Sequence, residues 1–525
     1  MLIKRVKLTY LHKKLAYFLI TISFLIMTDT LGFTQTRPGY TLLRGGLHFD
    51  SQVSGGKYSL AELASIIARN KLDVGIITDH DNMKVSYGVR PFENFLKFSI
   101  EENSIRQYGA EKYINEINAL DAAYPDLILI PGIEAVPYYR WEGSPLNENM
   151  VLKDWHTHLL VFGPEDPKFF EQLPSLANRN IGYNKPDGKI IKYIAENFTH
   201  FALMALYFLL FLISLALIFR RKYRLVSDKN INRHRHNIRF SFPAFIMAVV
   251  FGLILYNQYP FLPRKYTPYD REAGSAPYQE LIDYVNAHNG LVFWAHPEVT
   301  HNELRQVNIP LMNQAITIST EAYPHRIMET QDYTGFAIFW EGAKVIGRPG
   351  GLWDIALSEY CAGLRRKPVW AIGELDFEES SNLNNVTETL TFLFVKERSR
   401  AGVYEAMRAG RMYATRGFVG DKIVLDDFSV YDLYTGKSAF IGETLTNARP
   451  PVAIHIRLRA LTKLNKPETI FLYRNSELIK IFRLNTVLDE WFVDESPMPN
   501  KMYYYRVYGG ESWPTLATNP IFVSK

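Results

Sequence analysis

Short apolar runs alternate with amphipathic stretches through most of the chain. Residues 59–72, SLAELASIIARNKL, carry apolar side chains at helical spacing and predict a helix, and DVGIITDHDN (73–82) predicts a buried strand ending in Asp79, His80 and Asp81. Further strands are predicted in DLILIPGIEAV (126–136), WHTHLLVFG (155–163), LVFWAHPE (291–298) and KPVWAIGELDFEES (367–380), with a helix at YQELIDYVNAHNG (278–290). SRAGVYEAMRAGRMYATRG (399–417) reads as a helix ending near Gly410, then a short strand. From about residue 421 the pattern turns to strands alone: VAIHIRLRA, TIFLYRNSELIKIFRL broken at Asn475 and Ser476, MYYYRVYGG and NPIFVSK. About seven strands in roughly a hundred residues predict an immunoglobulin-like sandwich. The alternating part predicts an α/β barrel.

Three long apolar runs stand apart from this pattern. LAYFLITISFLIM (15–27) follows Lys4, Arg5, Lys7, Lys13 and Lys14, the layout of a signal peptide or signal anchor. FTHFALMALYFLLFLISLALIF (198–219) has the ~20 residues that a bilayer's hydrocarbon core requires, and FSFPAFIMAVVFGLILY (240–256), with Pro243, is shorter. Eight cations and one acid, Asp228, lie between the last two runs. The formal charge is +5, and the two basic segments account for more than all of it, so the remainder is acidic. Basic segments at the amino terminus and between the apolar runs place both on the cytoplasmic side. Residues ~34–197 and ~260–525 then share the outer face, periplasmic if the source is bacterial. An acidic outer mass argues against nucleic acid as a partner, since that needs a basic groove. The competing reading, a buried helical hairpin whose basic loop binds nucleic acid, fits the charge pattern less well. A single cysteine, Cys361, allows no intrachain disulfide.

Histidines and carboxylates gather at the ends of the predicted strands. GGLHFDS sets His48 and Asp50 two residues apart, on one face of a strand. The other ends supply His80, Glu134, His156 with His158, His296, and Asp376 with Glu378. A single histidine in such a place is usually structural. Six strand ends converging on one mouth would leave imidazoles and carboxylates repelling or unpaired unless cations lay between them, and two divalent ions resolve both problems.

The ordered set LHFDS, ITDHDN, PGIEA, HLLVFG, WAHPE and GELDF resembles the PHP superfamily, named for polymerase and histidinol phosphatase domains, over most of residues 42–420. The resemblance implies a distorted (β/α)7 barrel in two parts, residues 41–197 and 263–420. They are separated by a transmembrane hairpin at 198–262 with a basic cytoplasmic loop at 220–239. Residues 1–33 are the signal peptide or anchor and 421–525 the sandwich. Carried over residue by residue, the resemblance makes His48 and Asp50 the first ligand pair, Glu134 the bridging carboxylate and Asp376 the completion of the first ion. His158 and His296 hold the second ion with Glu134, His80 belongs to a third position, and His156 is a substitute for His158. Asp376, Glu134 and His80 are the implied catalytic groups.

Three positions depart from the family pattern. Asp50 and Glu378 stand where histidines are expected, and Gly55 or Gly56 falls where a further ligand is expected. The implied site is therefore binuclear, with His80 and Glu378 as a weak third position or as outer groups. Its oxygen-rich donors favour manganese or iron over zinc. The implied activity is metal-dependent hydrolysis of a small, phosphorylated ester at the outer face of a lipid bilayer, with non-phosphate esters left open. The alternatives are a degenerate barrel acting as a membrane-anchored ligand-binding or sensor protein and, less favoured, a nuclease. Arg408, Arg411 and Arg416 are cations that could face an anionic substrate or complement a helix end.

Overall fold

The computed structural model describes residues 39–525 except 90–91, 95, 179–189, 229–230, 260, 264, 310–311, 340, 379–380, 418–421, 496–499 and 512. The expected signal peptide or anchor at 1–33 lies outside the described residues. The fold is mixed α/β, with strands β1 (Thr41–Phe49), β2 (Val74–Ile77), β3 (Ile128–Ala135), β4 (Leu159–Phe162), β5 (Leu291–Trp294), β6 (Gly335–Phe339) and β7 (Trp370–Gly373) adjacent in that order. Leu47, Ile76, Ile130, Leu160, Phe293 and Ile372, one from each of six strands, are fully buried, which supplies the apolar drive for this layer.

Neighbouring strands in this set are parallel except at β4, which runs against both β3 and β5. The chain beyond β7 returns to β1: Leu375 N donates to Leu47 O at 2.8 Å, Phe377 N to His48 O at 3.0 Å and Asp50 N to Phe377 O at 2.9 Å. Seven strands thus form a hydrogen-bonded ring. Reversal of β4 has a direct effect on chemistry, because the start of β4 lies at the same mouth as the carboxyl ends of the other strands.

Helix α1 (Leu60–Arg69) begins at Ser59, whose side chain accepts from Glu62 N while the Glu62 carboxylate accepts from Ser59 N. It buries Leu60, Leu63, Ile66 and Ile67, the positions that the periodicity predicted. Helices α2 (Ala110–Ala123), α5 (Ala276–Ala287), α6 (Leu352–Cys361) and α7 (Arg400–Arg408) are also built, with α5 and α7 where the sequence placed them.

Between β4 and β5 the chain forms α3 (Phe198–Ile218) and α4 (Phe242–Gln258), which pack together through Ala244 and Ala248 against Phe211, Leu217 and Ile218. The 21-residue α3 is long and apolar enough to cross a membrane, and the 17-residue α4 is shorter. Segment 220–239, expected as a loop, is instead most of an antiparallel ribbon from Phe219↔Phe240 to Ile231↔Asp228. Antiparallel helices bring their ends together, and Ser241 N donates to Ile218 O, so the strands leave the helix pair already in register.

On the mouth side, strands Arg140–Glu142, Val151–Lys153, His301–Ile309 and Met312–Thr320 form a small sheet over a second core containing Trp141, Met150, Trp155, Ile316 and Ile318. Strands Lys84–Gly88 and Lys97–Glu101 form a further hairpin. On the outer side of β1, β8 (Thr389–Val395) and β9 (Met412–Arg416) extend the sheet, and β9 pairs with Leu516–Thr518. All elements described from Ile423 to Ser524 are strands. Those at 444–445, 468–484, 502–509, 516–518 and 521–524 are continuous by hydrogen bonding with the sheet of the ring, whereas Ile423–Asp432, Ser438–Phe440, Val452–Ala460 and Val487–Asp494 form a separate four-stranded sheet.

Candidate metal centre

Most of the side chains singled out in the sequence come together at the mouth. Glu134, 1% exposed at the end of β3, is the hub. Its Oε1 lies 2.5 Å from His158 Nδ1 and 3.1 Å from His296 Nε2, and its Oε2 lies 3.0 Å from His80 Nδ1 and 3.3 Å from His48 Nε2. Three sets have ligand atoms mutually within 4.8 Å: His48, His296 and Asp376; His80, Glu134 and His158; and His48, Asp50 and Glu134. The second set comes from the adjacent strands β2, β3 and β4. The first joins β7 and β1 to β5, so His296 shares a set with Asp376, whereas the family pattern paired it with His158.

The backbone is bent to make this possible. His48, His296 and Asp376 adopt φ of 71°, 22° and 47°, in the left-handed region that branched side chains disfavour. Such conformations cost of order 1–3 kcal/mol each and persist where surrounding structure enforces them, as at ligand clamps. Gly56 answers a different demand. A Cβ there would lie 2.0 Å from Asp50 O, so the loop behind Asp50 approaches too closely for any side chain.

Glu374, which the sequence reading did not single out, is fully buried behind the hub. Its Oε2 is 3.2 Å from His48 Nδ1, and its Oε1 accepts from His296 N. Tyr323, from a mouth-side loop, donates to Ala295 O at 2.7 Å and lies 3.2 Å from His296 Nδ1. The Asp79 carboxylate accepts from Ser51 N, Ser51 Oγ and Ser54 Oγ at 2.7–2.8 Å, tying the loop after β1 to the end of β2. The signal for Glu374 was present in GELDF, where Glu374 and Asp376 have strand spacing. Tyr323 had no signal in the sequence.

Other expected residues stand apart. Glu378 is exposed and lines, with Asp376 and Ser381, a cavity of about 280 Å³ beside the mouth. None of the three sets includes Glu378. His156 lies against His301, with ring centroids 3.9 Å apart, and His158 is the member of its pair that reaches Glu134. Arg408 donates to Asn289 O just before β5 begins, at the end of the ring away from the histidines, and Arg411 pairs with Glu405. Arg416 lies over the Trp513 ring.

Burial disfavours charge on all of these groups, and their partners decide the outcome. Burial opposes protonation of His48, but Glu134, Glu374 and Asp376 outweigh it and hold the imidazole well above its ordinary range. Against the same burial, the hydrogen bond to Glu134 with the charges of Asp376 and Glu374 raises His296 to about 9. Burial dominates at His80, pushing it down to about 4. It also dominates at Asp50, raised well above the carboxylate range with Glu134 adding to the shift. Despite burial, His158, His80 and His48 hold Glu134 well below that range.

The donor set fits divalent cations. His48 Nε2, His80 Nδ1, both ring nitrogens of His158 and Asp50 Oδ1 are buried without a hydrogen-bond partner. Several lie within 3.3 Å of Glu134 yet lack hydrogen-bond geometry, so ring nitrogens and carboxylate oxygens address a shared space. Leaving such atoms unpaired in a buried site is costly, and imidazole nitrogens with carboxylate oxygens are donors for zinc, iron or manganese. His80 and Asp376, whose side chains are 13% and 30% exposed, mark the open side.

No family model matches the chain, and no curated protein matches it. Similar solved structures include a two-domain protein of Bacteroides vulgatus containing a predicted PHP-like metal-dependent phosphoesterase. It has a TM-score of 0.34 and 12% identity, with 94% of this chain and 100% of that one covered. A protein of Bifidobacterium adolescentis described as a metal-dependent phosphoesterase has a TM-score of 0.24 and 14% identity, covering 63% of this chain and 87% of that one. An amidohydrolase of Chromobacterium violaceum with bound SO4 and no metal has a TM-score of 0.24 and 13% identity, covering 64% and 88%.

Proposed function

We propose that the protein is a PHP-type metal-dependent hydrolase, a phosphoesterase acting on a small phosphorylated substrate at the outer face of a membrane. One observation carries this reading: four histidines and the carboxylates of Asp50, Glu134 and Asp376 converge from six strand ends, with buried ring nitrogens left unpaired around Glu134. His48, Asp50, Glu134, His158, His296 and Asp376 would hold two ions of manganese, iron or zinc, with His80, and more remotely Glu378, at a weak third position. Bound there, the ions would lower the pKa of a water, orient it and stabilise negative charge developing on a phosphoryl oxygen. The protein's own contribution is to fix the imidazole tautomers through Glu374 and Tyr323, to exclude water from all but the His80–Asp376 side, and to keep Glu134 ionised.

In this reading the ring is a PHP barrel interrupted by a membrane hairpin of α3 and α4, and the carboxyl-terminal strands are an immunoglobulin-like sandwich that buttresses it. Nucleic acid is not a partner. The test is elemental analysis of purified protein beside the double substitution Glu134→Ala, His296→Ala. About two equivalents of transition metal in the native protein, lost in the variant, is the expected result. Absence of metal from both after reconstitution would transfer the function to ligand binding by a degenerate barrel.

A further inference from the structure

Reversal of β4 sends the chain to the end of the ring away from the histidines, yet both arms of the α3–α4 insertion return to the mouth. On the outgoing arm, Ser175 Oγ donates to Val136 O at 3.1 Å and Leu176 N to Pro137 O at 3.1 Å, just past the end of β3. On the incoming arm, Trp141 N donates to Pro268 O at 2.6 Å and the Tyr138 hydroxyl to Asp270 O at 2.7 Å. Tyr269 reaches the hairpin that follows the His80 segment, where its hydroxyl accepts from Gly88 N at 2.6 Å and donates to Gly88 O at 2.8 Å. The last turn of α4 contacts the same hairpin directly. Asn257, 1% exposed, accepts from Asn94 N through its side chain at 2.8 Å and from Asn94 Nδ2 through its carbonyl.

The surface at this junction is apolar and aromatic. Val89 and Leu96, joined by a backbone hydrogen bond at the end of the hairpin, are 50% and 47% exposed, and Tyr256, Tyr259 and Phe261, at and just past the end of α4, are 67%, 68% and 40% exposed. Tyrosines at the end of an apolar helix are typical of the lipid–water boundary, where an apolar ring and a polar tip are both accommodated. The hairpin has five paired residues a side, about 17 Å at strand rise.

From this arrangement we infer that the mouth faces the bilayer and that the substrate is membrane-borne: an amphiphilic phosphoester with one substituent held in the lipid and its phosphate raised to the site. The inference rests on the reading of the protein as a membrane-anchored phosphoesterase. Val89 and Leu96 seat the hairpin on the lipid surface, and the Asn94–Asn257 and Tyr269–Gly88 contacts lock it to the helix pair. In the reaction the oxygen of water joins phosphorus, the bond from phosphorus to the leaving alkoxide or aryloxide breaks, and the proton of water passes to the leaving group or solvent.

The test uses the full chain, loaded with manganese and reconstituted in vesicles of phosphatidylethanolamine and phosphatidylglycerol. Its probes are methyl and hexadecyl p-nitrophenyl phosphate. The expected result is a kcat/KM at least tenfold higher for the hexadecyl ester, and a hexadecyl-to-methyl ratio cut at least tenfold by Val89→Asp with Leu96→Asp. Equal rates on the two esters would overturn the inference. A bimane label at Val89→Cys, in a Cys361→Ser background, supplies an arm independent of turnover. Its fluorescence should be quenched by brominated lipid, and absence of quenching overturns the inference whatever the rates. Quenching without turnover of either ester by metal-replete protein supports the bilayer-facing mouth and overturns the hydrolase reading instead.

Discussion

Replacing Glu374 by glutamine tests how the site sets its imidazoles. The native carboxylate presents two acceptor oxygens to two donors, His48 Nδ1–H at 3.2 Å and the backbone N–H of His296. That arrangement keeps a proton of His48 on Nδ1 and makes Nε2, which faces Glu134 at 3.3 Å and Asp376 at 3.7 Å, the nitrogen that releases its proton to take a metal. A glutamine offers one acceptor and one donor group to the same pair. If its oxygen takes His296 N–H, its amide faces His48 Nδ1, and the ring can relieve the clash only by moving its proton to Nε2, which removes it as a ligand. If the amide is turned the other way, it faces a backbone N–H that cannot change. Loss of an outer hydrogen-bond partner of a metal-ligating histidine costs 10–100-fold in affinity, or about 1.4–2.7 kcal/mol. Glu374→Gln should therefore bind manganese 10–100-fold more weakly in chelator competition, with little change in volume to disturb packing. Glu374→Ala, which also orphans the buried His296 N–H, should lower metal-free stability by a further ~1–3 kcal/mol. Native affinity in Glu374→Gln would refute the assignment of the His48 tautomer.

Three further outcomes concern the carboxyl-terminal strands. Asp354 on α6 is 3% exposed and accepts from Tyr504 and Arg506 at 2.6 and 2.5 Å, while Arg506 is fully buried over the Trp353 ring. Asp354→Ala strands that guanidinium and should cost about 3–5 kcal/mol, seen as a melting temperature lower by roughly 3–5 °C in a chain of this size. Glu511→Ala, which removes the exposed partner of Arg483, should leave the melting temperature unchanged. His455 sits between Asp427 at 2.6 Å and Asp489 at 2.7 Å, and these bonds, opposed by burial, raise it to about 9. Its folded pKa exceeds its unfolded value near 6.5, so its stabilisation is complete below about pH 6.5 and lost as pH rises through 9. That contribution is at most about 3 kcal/mol. Melting curves of the native protein and His455→Gln should differ most at pH 6 and converge by pH 10; a constant gap would refute the assignment.

Residues whose chemistry and strand pattern coincide within a few positions were legible in the sequence. His80 and Glu134 end apolar runs, His158 precedes one, and all three reach the same mouth. That His158 stands before its run was the one trace of the reversal of β4; the direction of a four-residue strand is otherwise set by partners distant in sequence. The choice between Glu374 and Glu378 was hidden for a local reason. Both lie two residues from Asp376, so strand alternation assigns all three to one face. The left-handed φ of 47° at Asp376 breaks that alternation, leaving Glu374 buried and Glu378 exposed. Strands His301–Ile309 and Met312–Thr320 went unread because polar residues occupy both faces of much of HNELRQVNI. The ribbon at 219–240 was masked in the same way by its charge.

Closure of the ring between β1 and the residues after β7 joins positions more than 320 apart in the chain, with the α3–α4 insertion between them. Synthesis therefore meets the ring in a fixed order. The first four strands emerge with unpaired edges and must wait, incomplete, while α3, α4 and the second half of the ring follow. Unpaired strand edges and long-range pairing are the conditions that slow folding and invite misassembly. During that interval the incomplete chain is open to proteolysis, and substitutions that delay β7 should appear as degradation in the cell before they appear as lost activity in the purified protein.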